Sequence, residues 1–327
     1  MSMTQVFDNP SVFQIEVPMI DNFLATVNCY VVESEGKYLI IDSGSKTKEA
    51  YAVIKQVLDE LAIDYSSTQV FLTHPHFDHA GLVSQLVSPD APVYLSAYDY
   101  QLTSQEKNIL NEALYLKRLI HEGVDEKAAR SYKYLHTFFR LFDDTSNRLV
   151  YVQAGDSIEL GAFSFQVLSA SGHTPDQLAL YEESSGLYFC GDQVLEQLNP
   201  SIDVSFDGLD LTGNNIARLQ ELLERKLILM PGHGRVNVKP QERIQKLLDH
   251  HLKRREEFKR TIAENPGRSG FEIVRAAKWS ADKDWSRLSP IIQSLILRQG
   301  FSNLDHLKNS GEIEQSIQND KYYYFIQ

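Results

Sequence analysis

Cysteines, long apolar runs and positive charge are all scarce in this chain of 327 residues. The two cysteines, Cys29 and Cys190, lie in apolar, strand-like contexts, which predicts small core residues and no disulfide framework. No apolar run is long enough to cross a bilayer, and residues 1–10 lack the apolar stretch of a secretory signal. These features exclude a disulfide-stapled scaffold and a membrane span, and we expect a cytoplasmic protein.

Acidic residues outnumber basic ones by 44 to 32, which gives a formal net charge of −12. This balance disfavours general binding to nucleic acids or anionic membranes, but it allows a local basic patch. The one candidate is the run Lys253-Arg254-Arg255 with Lys259 and Arg260, and it is interrupted by Glu256 and Glu257. A mixed charge run of this kind is typical of a solvated helix face.

A dense group of metal-ligand side chains follows the apolar run Val70-Phe71-Leu72. The next residues are Thr73-His74-Pro75-His76-Phe77-Asp78-His79-Ala80-Gly81. Three imidazoles and one carboxylate within six positions would lose hydration and repel one another without a metal partner. Neutral imidazole and carboxylate are the ligands expected for zinc and its neighbours. The cluster therefore predicts a metal site at a strand-to-helix turn.

Three later turns have the same arrangement, because each follows a strand-like run and carries a ligand-type residue. These residues are His173, Asp192 and His233. Side chains at the ends of strands converge at one edge of a sheet, where open α/β folds place their sites. Seven such ligands are enough for two metal ions that share a solvent oxygen and leave coordination open for substrate.

The combined pattern resembles the metallo-β-lactamase superfamily over residues 12–238. The motifs that carry the resemblance are His74-x-His76-x-Asp78-His79, Gly172-His173-Thr174, Gly191-Asp192 and Gly232-His233, with Asn28-Cys29-Tyr30 and Asp42-Ser43-Gly44 in the opening strands. The resemblance implies an α/β (α+β) fold, an αββα sandwich with the site at one edge. It also implies two Zn²⁺ ions, although the same donors accept Mn²⁺ or Fe²⁺.

The resemblance further implies a role for each motif residue. The expected metal ligands are His74, His76 and His173 on the first ion, Asp78, His79 and His233 on the second, and Asp192 bridging both. Asp42 would steady a ligand histidine, while a simple turn residue is the alternative. Thr73 and Thr174 are expected to satisfy local backbone groups.

Domain organisation is predicted from changes in pattern. Residues 98–147 are helical and aromatic, which indicates an insertion that caps the active site, or a helical pair with its own core, and both can hold together. Residues 239–327 are helical and charged and end in two strand-like runs, which predicts a winged-helix-like module after a catalytic domain over 1–238. Separate helices are predicted at 288–297 and 304–309. Substrate-binding candidates are Phe23, Leu24 and the insertion, including His121 and His136.

The expected reaction is hydrolysis of an ester, thioester or lactone of a small molecule by a metal-bridging hydroxide, with Asp78 as the catalytic candidate that orients the water and handles its proton. Glyoxalase II has a similar layout, whereas the related lactonases carry a tyrosine where this chain has Gln193-Val194-Leu195-Glu196. A similar C-terminal tail occurs in a relative that acts on single-stranded RNA, so an endoribonuclease or phosphodiesterase stays open. A catalytically weak metal-binding effector is a second alternative. No membrane partner is expected.

Overall fold

A computed structural model describes residues 3–19, 25–133, 148–236, 239–279 and 284–327. The first sheet has seven strands in sequence order. They are β1 (Met3–Asp8), β2 (Ser11–Pro18), β3 (Thr26–Ser34), β4 (Lys37–Ile41), β5 (Thr68–Phe71), β6 (Pro92–Ser96) and β7 (Arg148–Val152). Pairing is antiparallel from β1 to β4 and parallel from β4 to β7.

The second sheet has the order β12-β11-β10-β9-β8. Its strands are β8 (Ser157–Leu160), β9 (Phe163–Ser169), β10 (Leu178–Glu182), β11 (Leu187–Gly191) and β12 (Ile228–Pro231). Only the β11–β12 pair is parallel among the pairings described in this sheet. β10 and β11 are buried along their whole length, as is expected of strands covered on both faces.

The helices of this region are α1 (Lys48–Glu60), α2 (Phe77–Ala80), α3 (Val83–Leu86), α4 (Ala97–Leu102), α5 (Gln105–His121), α6 (Glu126–Lys133) and α7 (Leu211–Leu223). Helix α1 begins where the Thr47 side chain accepts a hydrogen bond from the Ala50 N–H at 3.0 Å, a favourable N-cap. Its buried face presents Ile54 and Leu58 to the first sheet.

The alternation of side chains along β3 builds two apolar layers at once. Cys29 and Val31 face the helical layer that contains α1, while Tyr30 and Val32 face the second sheet. A further apolar layer joins the outer face of the second sheet to α7 and to the helix that follows β12. The arrangement is an αββα sandwich, so the predicted fold class is confirmed.

The C-terminal part contains α8 (Pro240–Glu264), β13 (Arg268–Ser269), α9 (Gly270–Ala276), α10 (Pro290–Asn309), β14 (Ile313–Gln318) and β15 (Lys321–Ile326). Three helices and a small β13-β15-β14 sheet occur in the order of a winged helix. The two helices predicted at 288–297 and 304–309 form the single helix α10, so that division was wrong. Gly300 lies inside α10, and a Cβ at this position would overlap a side-chain carbon of Val274 of α9, so the close approach of the two helices accounts for the glycine.

The described part of the predicted insertion shares its core with the C-terminal module. Tyr115 and Leu119 of α5 and Ala129 of α6 pack with Phe258 of α8 and Phe301 of α10 in one buried cluster. The alternative of a helical pair with its own core is therefore wrong for α5 and α6. Residues 134–147, including His136, lie outside the described residues, and the boundary at residue 238 stays a prediction. Among the described helices, none combines the length and apolar character that a membrane crossing requires.

Candidate metal centre

Four loops at one edge of the sandwich carry the predicted ligands. The loop after β5 and the short helix α2 carry His74, His76, Asp78 and His79. The β9–β10 loop carries His173, Asp192 directly follows β11, and His233 follows β12. The structure therefore brings all seven predicted ligands together, although they span residues 74–233.

The first cluster consists of three converging ring nitrogens. His74 Nε2 and His173 Nε2 each lie 2.9 Å from His76 Nδ1, and the three ligand atoms lie within 4.8 Å of one another. Burial lowers the pKa of His74 and His76 well below the usual histidine value, and the neighbouring imidazoles lower it further. Neutral imidazole is the form that binds metal, so this cluster is prepared for a cation.

The second cluster joins Asp78 to two histidines. Asp78 Oδ2 lies 3.3 Å from His233 Nε2 and 3.7 Å from His79 Nε2. Burial opposes the charged form of His79, but the carboxylates of Asp78, Asp192 and Asp42 outweigh it and raise its pKa to about 10. Burial likewise opposes ionisation of Asp78, yet the surrounding histidines hold its pKa well below the usual range. The carboxylates thus favour positive charge here, which a divalent ion would supply.

The Asp192 carboxylate lies between the two clusters. Its Oδ2 is 3.5 Å from His173 Nε2 and 3.6 Å from His233 Nε2, and its Oδ1 is 3.5 Å from His79 Nε2. A carboxylate can offer one oxygen to each of two ions. The position of Asp192 fits the predicted bridging role.

Unsatisfied polar atoms provide the test of whether a metal fits. His79 Nε2, His233 Nε2 and Asp192 Oδ1 are buried and have no hydrogen-bond partner within the described residues. Each such atom costs roughly 1–3 kcal/mol if nothing binds it. The backbone of Gly232 lies against two of these residues, since a Cβ there would be 2.5 Å from Asp192 Oδ1 and 2.7 Å from His79 Cε1. The donor set and its orphaned atoms fit two divalent ions.

Four of the ligand histidines point Nε2 into the site and are oriented through Nδ1. The partners of Nδ1 are the Asp42 carboxylate for His79 at 2.7 Å, the Thr26 carbonyl for His233 at 2.8 Å, the Ser201 carbonyl for His173 at 2.9 Å and the Thr73 hydroxyl for His74 at 3.0 Å. Such partners fix the tautomer and aim Nε2 at the metal. Asp42 therefore lies where the resemblance placed it, against a ligand histidine.

Sequence reasoning missed several of these contacts. The Thr73 hydroxyl bonds Asp42 and His74, and the Thr174 hydroxyl donates to the buried Asp99, so the expectation that both threonines satisfy backbone groups was wrong. Asp99 also accepts a 2.9 Å hydrogen bond from the Asp176 N–H, which ties α4 to the His173 loop. The carbonyls of Thr26 and Ser201 carry no signal in sequence, because every residue has one.

Other candidates lie elsewhere or outside the description. His121 Nδ1 lies 3.0 Å from the Tyr322 hydroxyl of β15, so this insertion histidine faces the C-terminal module and not the metal centre. Phe23 and Leu24, the predicted substrate contacts, lie outside the described residues.

Fold and site together define a hydrolase with a dinuclear metal centre of histidine and aspartate ligands. The chain belongs to the metallo-beta-lactamase superfamily, whose family model matches residues 24–233.

Known proteins similar to this chain agree with that assignment. A probable metallo-hydrolase of Bacillus subtilis, YqjP, is 28% identical over 256 residues, which cover 75% of this chain and 78% of the relative. The hydroxyacylglutathione hydrolase GloC of Haemophilus influenzae is 25% identical over 218 residues, covering 66% of this chain and 89% of that protein. The crystal structure of a beta-lactamase domain protein from Burkholderia ambifaria superposes with a TM-score of 0.82 at 22% identity, covering 99% and 94% of the two chains. That likeness shows a shared fold.

Proposed function

We propose that this chain is a zinc-dependent hydrolase that cleaves an ester, thioester or lactone of a small molecule. The observation that carries the proposal is the Asp192 carboxylate, which faces His173 and His233 with one oxygen and His79 with the other. Two bound ions would supply a water activated near neutral pH and a Lewis acid for the substrate carbonyl. Five histidines and two aspartates suit zinc, while Mn²⁺ and Fe²⁺ accept the same donors.

The residues of the chain supply position and charge for this reaction. Asp78 stays ionised because its pKa is held far below neutral by the histidines around it. An ionised carboxylate is an acceptor only. We infer that Asp78 orients the reacting water by accepting its hydrogen bond, and that it helps to pass the water's proton to the substrate's departing group or to solvent.

The choice of a carbonyl substrate has two supports. One relative is named as a hydroxyacylglutathione hydrolase, and this chain covers most of its length. The second support concerns the basic run that would contact RNA. Arg254 pairs with Glu257 at 2.8 Å, and Glu312 pairs with Arg255 at 2.8 Å and Lys259 at 3.0 Å. Basic side chains that are already paired with carboxylates of the protein are less available to phosphates.

The free, buried state of Cys29 and Cys190 supports a reducing, cytoplasmic location.

The test is a substrate panel with metal analysis of the same preparation. Aryl esters, thioesters, lactones, bis-(nitrophenyl) phosphate and single-stranded RNA would be assayed with the zinc-loaded chain and with Asp192→Ala. We expect two zinc ions per chain and hydrolysis of at least one carbonyl class that Asp192→Ala lacks. Turnover confined to the phosphodiester or RNA would favour the endoribonuclease or phosphodiesterase alternative, with cleavage of the RNA required for the former. Two bound ions without turnover of any substrate class would support the effector alternative.

A further inference from the structure

Residues 201–206 form a strap that lies against the loop carrying His173. The Ser201 carbonyl accepts a hydrogen bond from His173 Nδ1 at 2.9 Å. Two residues later, the Asp203 N–H donates to the Gly172 carbonyl at 3.1 Å. The strap therefore holds both the ring of this ligand and the backbone directly before it. A shift of the strap would rotate His173 away from the first cluster.

The C-terminal module holds this strap in place. Arg298 of α10 donates from Nε to Asp203 Oδ1 at 2.9 Å, and its Nη2 donates to the other carboxylate oxygen. Both side chains are largely buried, at 13% and 11% exposure. The next residue, Val204, is buried in the apolar cluster that α5, α8 and α10 share. An ion pair and an apolar anchor thus fix the strap to the module.

The Arg298–Asp203 ion pair fixes the position of the strap relative to α10. A guanidinium that binds a carboxylate through two nitrogens sets both distance and plane, which a lysine ammonium cannot do. Asp203 Oδ1 also accepts the Val204 N–H at 2.6 Å, so the carboxylate couples the strap backbone to α10. Through the strap, the module is therefore connected to the loop that carries His173.

We propose that Arg298 is a positioning residue of the metal centre, which holds the 201–206 strap through Asp203 so that the Ser201 carbonyl aims His173 at the first metal. The inference rests on metal binding as proposed above. It makes the C-terminal module a structural part of the active site, because the orientation of a ligand in the sandwich depends on a side chain of α10.

The test compares metal affinity in Arg298→Ala, Arg298→Lys and a control, Arg255→Ala. The control removes another arginine–carboxylate pair of the module, Arg255 with Glu312, which has no contact to the 201–206 strap in the described structure. Zinc affinity would be measured by competition with a chromophoric chelator, and the cobalt-substituted proteins would be compared by visible absorption. Urea unfolding of the metal-free proteins would report fold stability.

We expect Arg298→Ala to weaken the first ion about tenfold or more, in the range that losing an outer partner of a ligand histidine produces. The second ion should keep its affinity. Arg298→Lys should lie between native and Arg298→Ala, because it keeps the charge and loses the fork. The cobalt spectrum should change in Arg298→Ala and remain native in Arg255→Ala.

Two results would overturn the inference. One is native affinity for both ions in a folded Arg298→Ala. The other is an equal loss in Arg255→Ala, which would reflect general loosening of the module. If Arg298→Ala does not fold, the double variant Arg298→Met/Asp203→Asn serves in its place, because it leaves no unpaired buried charge. It should also lose affinity for the first ion, and native affinity for both ions would again overturn the inference. A native chain that binds no zinc would refute the metal centre itself, whereas native zinc binding with unchanged variants would refute only the role of Arg298.

Discussion

The Asp42 carboxylate connects the two clusters of ligand residues, because it contacts His79 of one directly and His74 of the other through Thr73. One of its oxygens lies 2.7 Å from His79 Nδ1, and the carboxylate also accepts hydrogen bonds from the Thr73 N–H at 2.8 Å and the Thr73 hydroxyl at 2.9 Å. That hydroxyl lies 3.0 Å from His74 Nδ1. Asp42 has a positive φ of 59°, a conformation that aspartate adopts more readily than most residues. A single side chain therefore orients one ligand directly and another through a threonine.

Replacing Asp42 with alanine should weaken metal binding at both clusters. His79 would lose the partner that fixes its ring, and the Thr73 N–H would be left buried without an acceptor. We expect a loss of zinc affinity of about 10–100-fold, measured by chelator competition. Asp59→Ala is the control, because Asp59 is a surface residue that pairs only with Lys55 among the described contacts. An Asp42→Ala protein with native zinc affinity would contradict the orienting role.

Removing a central ligand should abolish hydrolysis and metal content together. Asp192→Ala takes away the carboxylate that faces both clusters, and His76→Ala takes away the nitrogen on which the first cluster converges. Elemental analysis after dialysis should show loss of both ions in Asp192→Ala and of at least the first ion in His76→Ala. His121→Ala is the matched control, since His121 contacts Tyr322 of the C-terminal module and none of the ligands in the described contacts. A metal-free variant with full activity would exclude metal-dependent hydrolysis.

Gly232 should tolerate no side chain. A Cβ at this position would lie 2.5 Å from Asp192 Oδ1 and 2.7 Å from His79 Cε1, and real Cβ atoms do not approach other atoms that closely. Gly232→Ala should therefore displace both ligands, and metal content should fall in a protein whose far-ultraviolet circular dichroism is native. Gly155→Ala is the comparison, because its Cβ would meet no atom within 4 Å and only its positive φ of 102° strains the backbone, so its stability should fall while its metal content stays native. Full metal content in Gly232→Ala would show that the loops after β11 and β12 can move apart without loss of metal binding.

The sequence was informative where chemistry depends on residue type, and silent where it depends on backbone position. Histidines and aspartates after apolar runs were visible as ligands, because few other residue types bind divalent ions. The resemblance placed Asn28-Cys29-Tyr30 in an opening strand, and these residues lie in β3. The carbonyls of Thr26 and Ser201 were not visible, since their role depends only on where the chain passes.

Long-range partners were equally hidden. Arg298 and Asp203 are 95 positions apart, and nothing in either neighbourhood marks them as a pair. The division of α10 failed for a related reason. Gly300 normally weakens a helix interior, but here the absence of a side chain lets α10 approach Val274 of α9. β1 carries a weak strand signal, because only three of its six residues are apolar and none is buried, so its pairing with β2 decides its structure.

The module's own stability should depend on pH through Glu312. Burial opposes its ionisation, but Arg255, Ser310 and Lys259 outweigh burial and lower its pKa to about 2 from an ordinary value of 4.5. Because the folded-state pKa is the lower one, the stabilisation is complete above about pH 4.5 and is lost as the pH falls towards 2. Glu312→Gln should reduce the free energy of unfolding by about 1 kcal/mol at pH 7, and the difference from native should disappear near pH 2.

Urea unfolding between pH 2 and 7 would measure this difference. The control is Glu314→Gln on the exposed side of β14, which is expected to stay within about 0.5 kcal/mol of native. A Glu312→Gln difference that is the same at pH 2.5 and pH 7 would show that charge pairing does not stabilise this corner of the module.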